Sequence, residues 1–386
     1  MTTFLACVLA ACLGAPAQLQ AQVDVPGDFA NLQQAIDAAA PGGVIVVHGG
    51  THDSIVIDKA LTLVGVPAPF LPLIKGKLDA AAFVVRAPIR LDGPGAGEVT
   101  LIGLRTAGSL QEGLVIHGEP GILGGGFDQL RILHCKINGC GGDSVATETL
   151  QGTPGMAVTV PYVVIEGSTV TAGDTQHAFG GPFPTIGAIG VLAPYSTVTL
   201  LDSEVTGGLV FDFLWHNVPD PCPGGCAGIA GGSGGVGIVT AQLYLANSSI
   251  LGGQGATFTC DTGFVICTKS NGVEIVANRV HSLPDNLGAS GPLDQGGSFT
   301  LHWYSLGNPA LLVLSPGSHP PVLLEGYGLL FVALSQAATF LVPGGGHVEQ
   351  AFPVPVNGAL VGTAFTLQVY DPLLGLTRPV VAAVVP

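Results

Sequence analysis

Asp143 in GCGGDS, Asp174 and His177 in AGDTQH, and Asp212 and His216 in FDFLWH are the side chains whose types and spacing suit proton transfer. They follow successive copies of one short motif at comparable distances, so the elements that carry them can bring them to one face. Two carboxylates with a histidine can act as acid and base or hold a cation. The same residues also suit plain solvated loops. Phe211, Phe213 and Trp215 alternate in the third stretch, a pattern fit for stacking sugar rings or for plugging an apolar opening. The other histidines show no H-E-x-x-H spacing and read as surface or turn residues, so no metal centre is assigned.

Eight cysteines are present. Cys222 and Cys226 (CPGGC) and Cys260 and Cys267, which flank a DTG bend, are the disulfide candidates. Cys135 and Cys140 are poor partners. Five residues of extended chain cover roughly 16 Å, whereas a disulfide needs Cα atoms within about 7 Å, so a sharp bend would have to intervene.

The elements that must position these groups are written as a repeat. LRILHCKING begins at residue 130, VVIEGSTVTA at 163, VTLLDSEVTG at 198, LYLANSSILG at 243 and VEIVANRVHS at 273, with spacings of 33, 35, 45 and 30 residues. A fixed motif at irregular spacing implies structural repeats with loops inserted on one side. Apolar positions alternate within each copy, as on a strand with one buried face. In the second copy Val163 and Ile165 point inward, the chain turns at Gly167, and Ser168, Val170 and Ala172 point inward again. A second short strand precedes most copies: GLVIHG (113–118), MAVTV (156–160), AIGVLA (188–193) and VGIVTA (236–241). Such a unit cannot bury its apolar face alone and must stack on its neighbours. The expected architecture is all-β, a right-handed parallel β-helix. Cys135, Ser168, Ser203, Ser248 and Asn278 occupy equivalent places and are expected to stack as an internal ladder.

Residues 28–39, DFANLQQAIDAA, carry a helical pattern with Asp28 as N-cap and Phe29, Leu32, Ala35, Ile36 and Ala39 on one face. This helix is expected to cap the first winding. The glycines read as turn formers, and GGSGG (231–235) reads as a flexible loop. Beyond about residue 295 the motif stops, and short apolar runs with Pro/Gly turns predict a small C-terminal β-sandwich. The domain reading is a signal peptide at 1–21, the β-helix at 22–292 and the sandwich at 296–386.

VPGDFANLQQAIDAAAPGGVIVVHGGTHDSIVIDKALTLVG (25–65) resembles the opening of secreted pectin-lyase-like β-helix proteins, including pectinesterase-type and uncharacterised bacterial branches. Together with the repeats, the resemblance covers roughly residues 23–290. VPVNGALVGTAFTLQVY (354–370) is similar to C-terminal modules on secreted, Gly-rich proteins of planctomycete-type bacteria. The resemblance implies the fold more than an activity. Pectinesterase-like sites need a QD-type pair and a G-R-P-W segment, which this chain lacks. Polygalacturonase-like sites need N-T-D, D-D, G-H-G and R-I-K; the nearest string is Arg131-Ile132-Leu133. Pectate-lyase-like chemistry needs carboxylates on Ca²⁺ and an Arg base, and separate windings can assemble these.

Composition bounds the rest. Charged residues make up 10% of the chain, hydrophobic residues 47%, and the formal net charge is −15. That balance and the absence of a nucleic-acid module argue against a phosphate-tracking surface. The opening TTFLACVLAACLGAPAQLQA reads as a secretory signal, with Cys12 the lipid-bearing residue in the lipoprotein alternative. The expected protein is secreted or surface-exposed and binds polysaccharide or a cell-surface glycan, or acts as an adhesive or structural protein. It needs no cofactor. The alternative is a polysaccharide lyase or glycoside hydrolase acting on an acidic polysaccharide, with Ca²⁺ in the lyase case. No transmembrane helix is expected in the mature chain.

Overall fold

Alternating apolar residues become strands, and the strands stack winding on winding. A computed structural model describes residues 22–66, 83–86, 88–107, 118–141, 152–175, 187–210, 234–254, 257–259, 266–268, 272–290, 293–307, 309–316, 320–325, 327–332, 334–354 and 356–386. These residues are nearly all β, with a 13-stranded sheet and a 7-stranded sheet that are both parallel.

One winding contains Met156–Val158, Tyr162–Glu166 and Thr169–Thr171. Each strand pairs in parallel with its counterpart on the next winding. Met156 lies opposite Val191, Val163 opposite Val198, and Val170 opposite Val205. Leu130, Val163, Val198 and Leu243 therefore form one column. The arrangement is compatible with a parallel β-helix. Val191–Leu201 and Ile238–Ala246 run unbroken from one face to the next, with a register shift between Ala193 and Thr197. Inward residues of all three faces, including Ile132, Ile137, Met156, Ile165, Val170, Leu200 and Val205, share one apolar core. Each such side chain, once fully buried, stabilises by about 1.5–3 kcal/mol before entropy is counted.

Several sequence expectations shift. The strand paired with Met156–Val158 on the preceding side is Ile122–Gly125, later in the chain than GLVIHG, whose residues 113–117 lie outside the described set. The fifth copy is displaced, because Leu243 faces Val280 and Thr240 faces Ala277. Asn278 therefore lies level with Ala241 and not over Ser248. The bent strand Ile275–Ser282 resets its alternation at the corner, so both of its halves resemble the motif.

The helix is Leu32–Ala38, with Leu32, Ala35 and Ile36 buried in the same core. Its N-cap is Asn31, whose side chain accepts from the Gln33 N–H at 2.8 Å. Asp28 instead accepts the Asp24 N–H in the preceding turn, so the helix starts later than its first acidic residue suggests.

Gly234 and Gly235 are not a free loop end. Gly235 N–H donates to Gly208 O, Gly253 N–H to Gly235 O and Gly272 N–H to Gly253 O, at 2.8–3.0 Å. A Cβ on Gly253 would sit 1.9 Å from Gly208 O. Close backbone approach requires glycine here.

The C-terminal sheets begin at Leu287, ahead of the expected 296. Leu287–Ser290, Ser298–Ser305 and Gly346–Pro353 form one antiparallel sheet. Ala310–Pro316, Ala338–Val342, Ala364–Asp371 and Val380–Val385 form most of a second. Phe299, Leu301 and Trp303 from the first share a core with Leu312, Val369 and Val380 from the second. This unit packs against the long parallel sheet: Val44, Val46, Val64, Ile102, Leu133, Val164 and Leu201 cluster with Val361, Ala364, Val381 and Ala383. This limb of the parallel sheet is thus buried on both faces, whereas Val56 and Arg90 on the adjoining limb are exposed. Among the described residues, no helix is long and apolar enough to cross a membrane.

Candidate functional site

At one corner of four successive windings a residue in the left-handed region, His134 (φ 53°), Gly167 (57°), Asp202 (47°) or Asn247 (45°), precedes a small one, and Gly103 (66°), which precedes Leu104, heads the same column. Behind them, Cys135 N–H donates to Ser168 Oγ at 3.0 Å, Ser168 N–H to Ser203 Oγ at 3.1 Å, and Ser203 N–H to Ser248 Oγ at 3.1 Å. Each serine hydroxyl in turn donates to the carbonyl two residues back. These hydroxyls are saturated by backbone and take a structural part.

Of the acid/base candidates, Asp174 falls among the described residues. Its Oδ1 accepts the Leu209 N–H at 3.0 Å, tying two windings together. Asp143, His177, Asp212, His216, Phe211, Phe213 and Trp215 lie outside the described residues, as do Cys222, Cys226 and Cys260. Cys267 sits in Ile266–Thr268, opposite Phe258 in an antiparallel pair. Cys135 and Cys140 are buried free thiols. Burial pushes the Cys135 thiol up to about 12 and raises that of Cys140, which removes both as nucleophiles near neutral pH. No group of three or more His, Cys, Asp or Glu side chains among the described residues is placed to hold a metal ion.

Charged groups gather where the C-terminal unit meets the windings. Arg378 is buried, with Nη1 3.0 Å from Asp202 Oδ2 and Nε 3.2 Å from Asp285 Oδ1. Its Nε also donates to the Leu287 carbonyl, and Asn286 Oδ1 accepts its backbone N–H. Asn247 donates to Asp202 Oδ1 at 2.6 Å. The network fixes residues 285–287.

Those residues form one wall of an open groove of about 420 Å³, within the size range of small-ligand sites. The strand alternation that buries Phe299, Leu301 and Trp303 turns His302 and Tyr304 to the other face. Antiparallel register sets Glu349 opposite His302 and His347 opposite Tyr304. His302 Nδ1 lies 3.8 Å from Glu349 Oε2, and the Tyr304 and His347 rings lie 5.0 Å apart between centroids. Trp303 also lines the groove. It is buried, and its indole N–H has no partner among the described residues. The groove offers aromatic faces, two carboxylates, two imidazoles and an amide, with no Lys or Arg among its lining residues. Both histidines do lie at the surface, but the reading of them as surface or turn residues does not bring them together. The signal was the out-facing alternation of SFTLHWYS and GHVEQAFP, meaningful only once the two strands pair.

Searches against protein-family models and curated protein sequences find no match to the chain.

Proposed function

We propose that this is a secreted or cell-surface, right-handed parallel β-helix protein of the pectin-lyase-like type that binds a polysaccharide or cell-surface glycan without turning it over. In this reading the Leu32–Ala38 helix closes the first winding, and the C-terminal unit is a β-sandwich that presents the binding groove. The supporting observation is the groove itself. Tyr304 and His347 offer ring faces to the apolar side of a sugar, while Asp285, Asn286, His302 and Glu349 are spaced around them for hydroxyl groups. Carboxylates without a lysine or arginine among the lining residues favour a neutral glycan over an acidic one.

The test is a glycan array followed by calorimetry on the full chain. A neutral glycan is expected to bind, and Tyr304→Ala to weaken it by about tenfold, the worth of one aromatic contact. Reducing-sugar and unsaturated-product assays on pectin, alginate and sulfated glycans are expected to show no turnover, with or without Ca²⁺. Asp143→Ala combined with Asp174→Ala is expected to leave glycan retention intact. Turnover that this double variant abolishes would replace the binding reading with a lyase or hydrolase.

A further inference from the structure

The seam between the parallel sheet and the C-terminal sheets is apolar along most of its length, and Glu166 interrupts it. The residue is 6% exposed. Its Oε2 accepts the Val381 N–H at 2.6 Å, so the carboxyl reaches from a winding to the strand Val380–Val385. The charged and titratable groups around it are Asp202 from the next winding, Arg378 from the C-terminal unit, and, from the preceding winding, His134, whose backbone N–H donates to the Glu166 carbonyl and whose ring interacts electrostatically with Asp202. Arg378 is already held by Asp202, Asp285 and the Leu287 carbonyl. Two carboxylates share that guanidinium, while Glu166 bonds directly to a neutral N–H. An ionised carboxylate buried on such terms costs several kcal/mol, and a protonated one far less.

We propose that docking of the C-terminal unit on the windings takes up a proton at Glu166, which makes the seam a pH-sensitive latch, tight in mildly acidic medium and looser as pH rises. Burial first, and Asp202 second, push Glu166 well above its ordinary value near 4.5, against the opposing pulls of the Val381 N–H and Arg378. Undocked, the side chain titrates at its ordinary value. The docked form therefore binds more protons across the interval between the two titration points. Docking weakens as pH climbs through that interval and levels off above it. The 285–287 wall of the groove hangs on the same Arg378, so the latch also regulates the groove. That consequence rests on the glycan-binding reading, whereas the latch does not.

The experiment is hydrogen exchange of the peptide containing Val381 in the ligand-free full chain, corrected for intrinsic rate, from about pH 5 to about pH 8.5. Wild-type protection is expected to fall by about tenfold for each unit separating the two titration points. Glu166→Gln keeps an acceptor for the Val381 N–H but cannot titrate, and its profile is expected to be level. Glu166→Leu serves if the glutamine variant does not fold. A level wild-type profile, or a fall that the variant shares, overturns the proposal. Because no glycan is present, the result is independent of whether the groove binds one.

Discussion

A side-chain carbon on Gly167 would lie 2.5 Å from Nδ1 of His134, one winding away. The imidazole occupies the space that the missing Cβ leaves, and both residues hold left-handed backbone. Gly167→Ala is expected to lose about 1–2 kcal/mol from the backbone and about 1–3 kcal/mol more from displacing the ring. Urea unfolding of the full chain measures it. A loss below about 0.5 kcal/mol, the usual scale for a surface change, would mean that the ring is not seated there.

The serine column permits a graded test. Ser203 is buried, accepts the Ser168 N–H and donates to the Leu201 carbonyl. Ser203→Ala strands that N–H in a dry interior, with an expected cost of about 1–3 kcal/mol. Ser248 makes the same contacts but is only half-buried. Water can replace it, so Ser248→Ala is expected to cost less. Equal losses would show that burial does not set the scale.

Asp371 anchors the second C-terminal sheet. Burial alone would raise its carboxyl. Ser305 Oγ–H and the N–H groups of Gly307, Leu373 and Leu374 outweigh that and hold it below the ordinary range. A depressed carboxylate contributes stability above its unfolded value, near 3.8, and loses that contribution as pH falls toward the folded one. Asp371→Asn is expected to lose about 2–3 kcal/mol at neutral pH and to flatten the acid limb of the stability profile. Superimposable acid limbs in the two proteins would contradict this.

Cys135 is expected to resist iodoacetamide in the folded chain at about pH 8, because its thiol titrates at about 12, and to react fully once denaturant opens the windings. Peptide mass spectrometry reads both states. Rapid labelling of the native protein would mean that this corner is open to solvent.

Much of the parallel sheet could be read from the chain because one local pattern repeats at winding intervals. Leu130, Val163, Val198 and Leu243 carry equivalent motif positions and lie opposite one another. The fifth copy was misplaced because alternation has a period of two whichever half of a bent strand supplies it. Only pairing decides that Val280, and not Val273, faces Leu243. The covered outer face was also missed, although its sign was present. VIVV at 44–47 and YVVI at 162–165 are apolar runs without alternation, the mark of strands buried on both sides. The groove was less legible still. Its residues come from strands around 287, 302 and 347 that meet through long-range pairing, and no local spacing announces such a meeting.

Gly362, in left-handed backbone, packs on Val44, Thr62 and Val64, so a segment made about 300 residues later comes to rest on the windings of residues 43–65. During synthesis those windings emerge first, with the apolar stripe from Val44 to Leu201 still wet. It is roofed only when Val361 to Val385 arrive. A nascent chain halted before that point would present a sticky flank about as long as the stack, making the interval between synthesis of Leu201 and synthesis of Val385 the one in which this flank most needs a chaperone.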